Sequence, residues 1–214
     1  MNLDHRRVQL VLALRSSGVT DTAVMAAMEV IPREIFVPSA LRQHAYENAA
    51  LPIGYEQTLS QPGIVGIMTQ ALGLTDRMKV LEVGTGSGYQ PAVLASLARR
   101  VYTIERYKPL MRVAETRFQD LRVRNVTTKC GDGTMGWEEQ APFDRIIVTA
   151  AALDVPPILA AQLSVGGIMV VPIGYDSDFQ TILRVTRNES GFETEELREV
   201  NFVPLVPSGA VTAV

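Results

Sequence analysis

Residues 80–88 read Val-Leu-Glu-Val-Gly-Thr-Gly-Ser-Gly, a short apolar run that passes straight into three glycines at alternate positions. Glycine takes φ > 0 without strain and has no Cβ to hold a ligand off, so glycines just after a strand mark a turn that something approaches closely. The helix start beyond such a turn offers N–H groups with no partner inside the helix. Strand, turn and helix are therefore predicted here, with a ligand at the turn. The dinucleotide fingerprint is G-x-G-x-x-G. In this chain the third glycine, Gly88, comes one residue early, and Tyr89 stands where that pattern has glycine. The early closure, with acidic Glu82 in the strand end, points to a ligand without a pyrophosphate.

The surroundings repeat the alternation. Strands are predicted at 78–83, 101–105, 126–129, 143–149 and 168–172. Helices are predicted at 89–98, 109–121 and from Pro156-Pro157 to Leu163, with a turn at Gly166-Gly167. Such β-α-β-α order predicts a doubly wound, mostly parallel sheet of the α/β class. Before it, periodicity predicts a helix over 3–16, a second helix capped at Thr20-Asp21 and running to Glu29, an irregular stretch over 30–60, and a helix opened by Gln61-Pro62 that stops near Gly73. After Gly174 two antiparallel strands are expected, 181–186 and 195–203, joined at 188–191. With 47% hydrophobic and 20% charged residues in 214, a full core is available and disorder is excluded as the main architecture. The net charge of −3 offers no bulk attraction to nucleic acid, and no stretch approaches the ~20 apolar residues that span a bilayer. The start of the chain, through Arg15, reads as an amphipathic helix rather than a leader. A single cysteine, Cys130, fits a reducing compartment, and the expectation is cytoplasmic.

Two further carboxylates fall at the same sheet edge. Glu105 ends the second predicted strand, where an acid can bind both hydroxyls of a ribose. Asp132, between Gly131 and Gly133, follows the third strand, where it can accept from an adenine amino group. With Gly84, Thr85, Gly86, Ser87 and Gly88, these describe the S-adenosylmethionine site of a Rossmann-like class I methyltransferase.

Over nearly its whole length the chain resembles the protein L-isoaspartate (D-aspartate) O-methyltransferases. The resemblance lies in Leu51-Pro52-Ile53-Gly54, Gln57-Thr58-Leu59-Ser60-Gln61-Pro62, residues 80–90, Gly131-Asp132-Gly133, residues 143–151 and 166–174, and Phe202-Val203-Pro204-Leu205-Val206. The Gln-Thr-Leu-Ser-Gln-Pro run is its most specific part. The resemblance implies one domain over 1–214: a helical and substrate-loop extension (1–75), a cofactor-binding core (76–174) and C-terminal strands (175–214). It implies methyl transfer from S-adenosylmethionine to the free α-carboxylate of isoaspartyl residues in damaged proteins and peptides, by a monomer or weak oligomer that binds no nucleic acid, membrane or metal. Ser60 matches the active-site serine, in an orienting role. Thr58, Glu82 and Gly133 join the cofactor set, and Gln61, Pro62, Phe202, Val203 and Pro204 match the substrate side. Trp137 and Tyr89 read as core or cleft wall, and His5 and His44 need no role.

The chemistry suits these residues. A carboxylate with a pKa near 4 is already ionised at neutral pH, so no general base is required. Two positions depart from the family pattern. Glu56 replaces a glycine common in Pro-Ile-Gly-x-Gly-Gln-Thr, bringing bulk and charge into a loop near the ligands. Gly63 replaces a large residue after Ser-Gln-Pro, which is expected to remove a side chain from the cleft wall. They motivate two alternatives: another methyl acceptor, or a binder of S-adenosylmethionine without turnover. A nucleic-acid amino-methylating enzyme is disfavoured, because Thr149-Ala150-Ala151-Ala152 stands where an Asn/Asp-Pro-Pro-aromatic motif would be.

Overall fold

A computed structural model describes residues 3–174 and 179–206; the ends of the expected C-terminal region (175–178 and 207–214) lie outside the described residues. In chain order the helices and strands are α1 (Leu3–Ser16), α2 (Thr22–Val30), β1 (Leu51–Gly54), β2 (Gln57–Leu59), α3 (Pro62–Ala71), β3 (Lys79–Val83), α4 (Tyr89–Leu97), β4 (Arg100–Glu105), α5 (Lys108–Asp120), β5 (Val126–Cys130), β6 (Phe143–Val148), α6 (Pro157–Ala161), β7 (Leu163–Ile173), β8 (Gln180–Asn188) and β9 (Gly191–Val200).

The main sheet has the order β5-β4-β3-β6-β7-β8-β9. Strands β3 to β7 pair in parallel, and β8 and β9 continue the sheet antiparallel. Because side chains alternate across a strand, each parallel strand feeds both faces. Val80, Val101, Ile147 and Val170 pack with Leu72 and Leu94 from the helices on one side. Leu81, Ile104, Ile146 and Met169 pack with Leu159 and Ala160 on the other. That two-sided burial is why the central strands β3, β6 and β7 are largely apolar, whereas the edge strand β5 reads Val-Thr-Thr-Lys-Cys and is only partly buried. The chain reverses direction across the sheet between β3 and β6, the place where doubly wound sheets open a crevice at their carboxyl ends.

Helix α1 packs on α3, α2 packs on α3 and α4, and the Arg33–Phe36 turn reaches α5. Leu10 and Leu14 of α1, Val24 and Met28 of α2, and Phe36 share a cluster with Tyr89, Val93 and Phe118. Of the apolar stripe expected on α1, Leu10 and Leu14 are buried, but Val8 stays 56% exposed. The Asp21 carboxylate accepts from the N–H groups of Ala23 (2.8 Å) and Val24 (3.2 Å), the cap expected for α2.

Several expected boundaries are corrected. The stretch 30–60 is more ordered than the irregular segment expected: it holds 3-10 turns at Arg33–Phe36 and Ser39–His44 and the β1–β2 hairpin. The prolines Pro32 and Pro38 break longer periodicity, and strands of three or four residues are too short to show alternation. Helix α6 ends at Ala161, and β7 begins at Leu163, ahead of the two glycines. They form an irregularity inside the strand, where the register against β6 slips between Phe143 and Arg145. Strand β9 spans 191–200 rather than 195–203, so Phe202 and Val203 lie beyond it.

Gly63 does not stand at the cleft. A Cβ there would lie 2.1 Å from Ser17 Oγ and 3.1 Å from Asn48 Oδ1, so its small size lets α3 seat against the end of α1. Glu56, with φ +57°, and Tyr55, with φ +54°, form the hairpin tip in the left-handed region. This conformation costs a residue with a Cβ about 1–2 kcal/mol, partly offset by the greater freedom that glycine has in the unfolded chain. Glu56→Gly is therefore expected to stabilise the fold by about 0.5–1 kcal/mol, read by urea unfolding. Gly88→Ala is expected to destabilise it by about 1–3 kcal/mol, because Gly88 has φ +91° and an added Cβ would stand 3.0 Å from Ala114 Cβ and 3.1 Å from the Phe118 ring.

Candidate functional site

A cleft opens where β3, β4 and β6 end, the edge at which parallel α/β sheets take ligands. Val83, Gly84 and Gly86 line it from β3 and the glycine turn, Glu105 from the end of β4, Thr149 from the end of β6. Each follows directly from strand register. Val83 pairs with Ile104 and with Val148, so the residues just past these positions meet at one edge.

Glu105 is the best-held polar group there. One carboxylate oxygen accepts the Gly86 N–H at 2.8 Å, and the other accepts the Tyr107 N–H at 2.9 Å. Each oxygen of a carboxylate can accept a second bond, so the group is fixed in orientation yet still able to receive two hydroxyls. The side chain is 5% exposed, its open side facing the cleft. Gly84 is needed for a different reason: with φ +101°, a Cβ there would stand 2.3 Å from Thr149 Oγ1. Thr149 Oγ1 lies 3.0 Å from the Val83 carbonyl and 2.8 Å from the Gly84 carbonyl, stitching β6 to the turn. Gly133 also lines the cleft and passes close to Val83, where a Cβ would come within 2.3 Å of Cγ1.

Thr58 and Ser60 stand on the opposite wall and border adjoining hollows as well. Thr85 and Ser87 line the hollow toward α3, and Gln61 lines another with Phe202 and Val203. Phe202, Val203 and Pro204 close the rim. Two contacts hold that rim. The Gln180 side-chain amide pairs with Phe202, accepting its N–H at 2.6 Å and donating to its carbonyl at 3.1 Å. Ala151 donates to the Val203 carbonyl at 2.8 Å and accepts from the Leu205 N–H at 2.7 Å.

Four expected site residues are not among those lining these hollows. Glu82 is fully buried one register position back. Its carboxylate accepts from Thr103 Oγ1 at 2.5 Å, and Thr103 in turn meets Thr85 Oγ1 at 2.7 Å. It braces the turn from behind, because inside β3 the side-chain alternation turns it away from the edge. Gly88 faces Ala114 and Phe118, so its lack of a side chain serves helix packing. Asp132 accepts from the Thr134 N–H (2.9 Å) and hydroxyl (2.7 Å), which uses one oxygen to cap a 3-10 turn. Pro62 is buried as the first residue of α3. Tyr89 is a core residue, fully buried against Phe36, while Trp137 is partly buried and packs edge-on to Tyr102.

The cleft also holds residues the sequence did not single out: Gln57, Arg106, Tyr107 and Thr149. Their positions just past strand ends could have flagged the last three. Tyr107 stacks on Tyr55 at 5.4 Å, joining the hairpin tip to the rim. Neither Glu56 nor Gly63 lines the cleft, and Glu56 is exposed. Among the described residues no group of three or more His, Cys, Asp or Glu is arranged to hold a metal, and no helix is long and apolar enough to cross a membrane.

Burial pushes the Glu82 carboxyl well above the usual range; the Thr103 hydrogen bond opposes this and the charge of Glu105 adds to it. An acid whose folded pKa is raised holds its proton longer in the folded state. Its contribution to stability is full below the unfolded value near 4.3 and is lost as pH rises toward the folded value. Glu82→Gln is thus expected to gain on the natural protein steadily as pH is raised from about 5 to 8, in melting temperatures measured across that range. A constant offset between the two would show that Glu82 does not titrate there.

Known proteins place these features in context. The family described as Protein-L-isoaspartate(D-aspartate) O-methyltransferase matches residues 5–210. A protein-L-isoaspartate O-methyltransferase of Rhodospirillum centenum is 54% identical over 214 residues, covering all of this chain and 97% of its own. One from Rhodospirillum rubrum is 57% identical over 208 residues, covering 96% of this chain and 95% of its own. A solved protein-L-isoaspartate O-methyltransferase is 29% identical with a TM-score of 0.80, over 92% of this chain and 65% of that one. A Plasmodium falciparum structure in complex with S-adenosyl-L-homocysteine shares the fold at a TM-score of 0.82 and 23% identity, over 94% of this chain and 98% of that one.

Proposed function

This chain belongs to the protein-L-isoaspartate(D-aspartate) O-methyltransferase family, and we propose that it methylates the free α-carboxylate of L-isoaspartyl residues in damaged proteins, with S-adenosylmethionine as donor. The observation that carries the site assignment is the facing of two walls across one cleft: Glu105 with the glycine turn on one side, Thr58 and Ser60 on the other.

The residues present fit the donor. The glycine turn leaves backbone open beside Glu105, and the two carboxylate oxygens retain acceptor capacity in the spacing of a ribose diol. Gly84, Gly86, Gly133 and Glu105 would hold it, with Thr85 and Ser87 behind the turn. When bound, it supplies a methyl group on a sulfonium centre, which an oxygen nucleophile can accept to give a neutral ester and a thioether. Everything else falls to the chain's own groups. The acceptor carboxylate arrives ionised, so no side chain needs to remove a proton. The Ser60 hydroxyl orients one carboxylate oxygen and leaves the other to react. The 202–204 rim, with Gln61, holds the peptide on either side of the reacting residue. Near-attack placement of this kind is where most of the rate must come from when no acid or base takes part. The apolar neighbours Val83, Ile104 and Leu205 keep the cleft partly dry, which spares the anion strong solvation.

The alternatives raised by Glu56 and Gly63 lose their footing, since both side-chain positions lie off the cleft. The single exposed cysteine supports function in a reducing compartment, and we place the protein in the cytoplasm, acting as one domain and as a monomer or weak oligomer.

The test is transfer of labelled methyl to matched isoaspartyl and aspartyl peptides. Base-labile label is expected on the isoaspartyl peptide alone; equal labelling of both would overturn the reading. Ser60→Ala is expected to lower kcat/KM about 10- to 100-fold, the loss of one hydrogen bond to a charged acceptor, with donor affinity kept. Glu105→Ala is expected to weaken S-adenosylhomocysteine binding about 10- to 100-fold in titration calorimetry, since two hydrogen bonds to a charged group go with it.

A further inference from the structure

Arg33 lies in a 3-10 turn outside every motif of the chain, and it is fully buried. Its Nε donates to the Ala45 carbonyl at 2.7 Å, and Nη2 donates to the Ser60 carbonyl at 2.6 Å. Its Cζ lies 4.7 Å above the ring of Tyr89, the first residue of α4. Nη1 has no hydrogen-bond partner. Among the described residues no carboxylate oxygen comes within 4.0 Å of the guanidinium. Its acidic neighbour, Glu34, turns to the Tyr46 hydroxyl and to Arg6 at 4.0 Å. Burial lowers the Arg33 pKa from its ordinary 12.5, yet an arginine in a protein keeps its proton. The interior therefore carries a positive charge that no described carboxylate contacts, an arrangement that is costly by itself.

The carbonyl that Nη2 holds belongs to Ser60, on the wall that must receive an anion. A helix start is the ordinary source of donors for one, but α3 has little to give. Pro62 has no N–H, Gly63 donates to Asn48 Oδ1 at 2.9 Å, and Ile64 and Val65 donate to the Gln61 carbonyl at 3.1 and 3.2 Å. The Ser60 carbonyl is pinned to Arg33 instead. We propose that Arg33 is a positioning residue whose buried charge, acting through the Ser60 peptide, draws the acceptor carboxylate to Ser60. The substrate then supplies a counter-charge to the buried guanidinium. Through Tyr89 the same guanidinium ties the acceptor wall to the helix that follows the glycine turn. The inference rests on the isoaspartyl-carboxylate reading above.

The experiment measures KM for an isoaspartyl peptide, affinity for its neutral α-methyl ester, and affinity for S-adenosylhomocysteine in Arg33→Gln and Arg33→Lys. Arg33→Gln is expected to raise KM for the acid at least about 10-fold, while ester and S-adenosylhomocysteine affinities stay within about twofold. Arg33→Lys is expected to return KM to within about threefold of the natural protein, because the charge is back without the fork. Equal loss for acid and ester, or an unchanged KM in a folded Arg33→Gln, would overturn the proposal. The natural protein gives a second readout that needs no variant. Attraction by a buried charge is little screened, so KM is expected to change less than about threefold between about 50 and 500 mM salt. A steep rise would instead assign the attraction to an exposed cation such as Arg106. If the natural protein leaves the isoaspartyl peptide unmethylated, the functional reading fails rather than the role of Arg33.

Discussion

The Glu105 carboxylate ties the end of β4 to the glycine turn, and the cleft takes its shape from that link. One oxygen holds the Gly86 N–H and the other holds the Tyr107 N–H, so a single side chain joins the glycine turn to the chain that leaves β4. Glycines leave a backbone free to adopt many conformations, and this carboxylate is one of the groups that hold the turn to a single one. Behind it, one step down the same strands, the Thr85–Thr103–Glu82 chain repeats the tie inside the core. A flexible loop is thereby made into a rigid cradle whose remaining acceptors face outward. Preorganisation of this sort matters for a reaction that depends on placement.

The second wall is built from chain far away in sequence. The β1–β2 hairpin brings Thr58 and Ser60 across from the glycine turn, and the segment after β9 brings the rim. Neither is part of the parallel sheet. Each is docked by a buried polar group: Arg33 to the Ser60 carbonyl, Gln180 to the Phe202 amide. Both groups lie in the interior, where a hydrogen bond left unmade is expensive and a made one is therefore directional. The hairpin tip is the exception. It carries two non-glycine residues in the left-handed region and stays exposed, held by the Tyr55–Tyr107 stack.

How much of this was legible in the chain follows from where the signals are local. The glycine turn, Glu105 at a strand end and the parallel order were readable, because strand periodicity and glycine placement act over a few residues. The hairpin in the 30–60 stretch was not, since three- and four-residue strands carry no period. Glu82 has the sequence signature of a ligand group because sequence shows that an acid lies near a strand end but not toward which face it points. Gly88 and Gly63 look like cleft features in sequence for a like reason: each is small because another part of the chain packs over it, and that partner is distant in sequence.

The sequence by itself determined the class of the fold, the turn where a ligand approaches and the acids and serine that could serve a methyl transfer, because these depend on local backbone preference and side-chain chemistry. Tertiary structure decided which of them face the cleft. It set Glu105 open and Glu82 shut away, left Asp132 capping a turn, and placed Arg33 beneath Ser60. The physical reason is that burial and contact are pairwise properties of residues brought together by packing, and no single segment carries them.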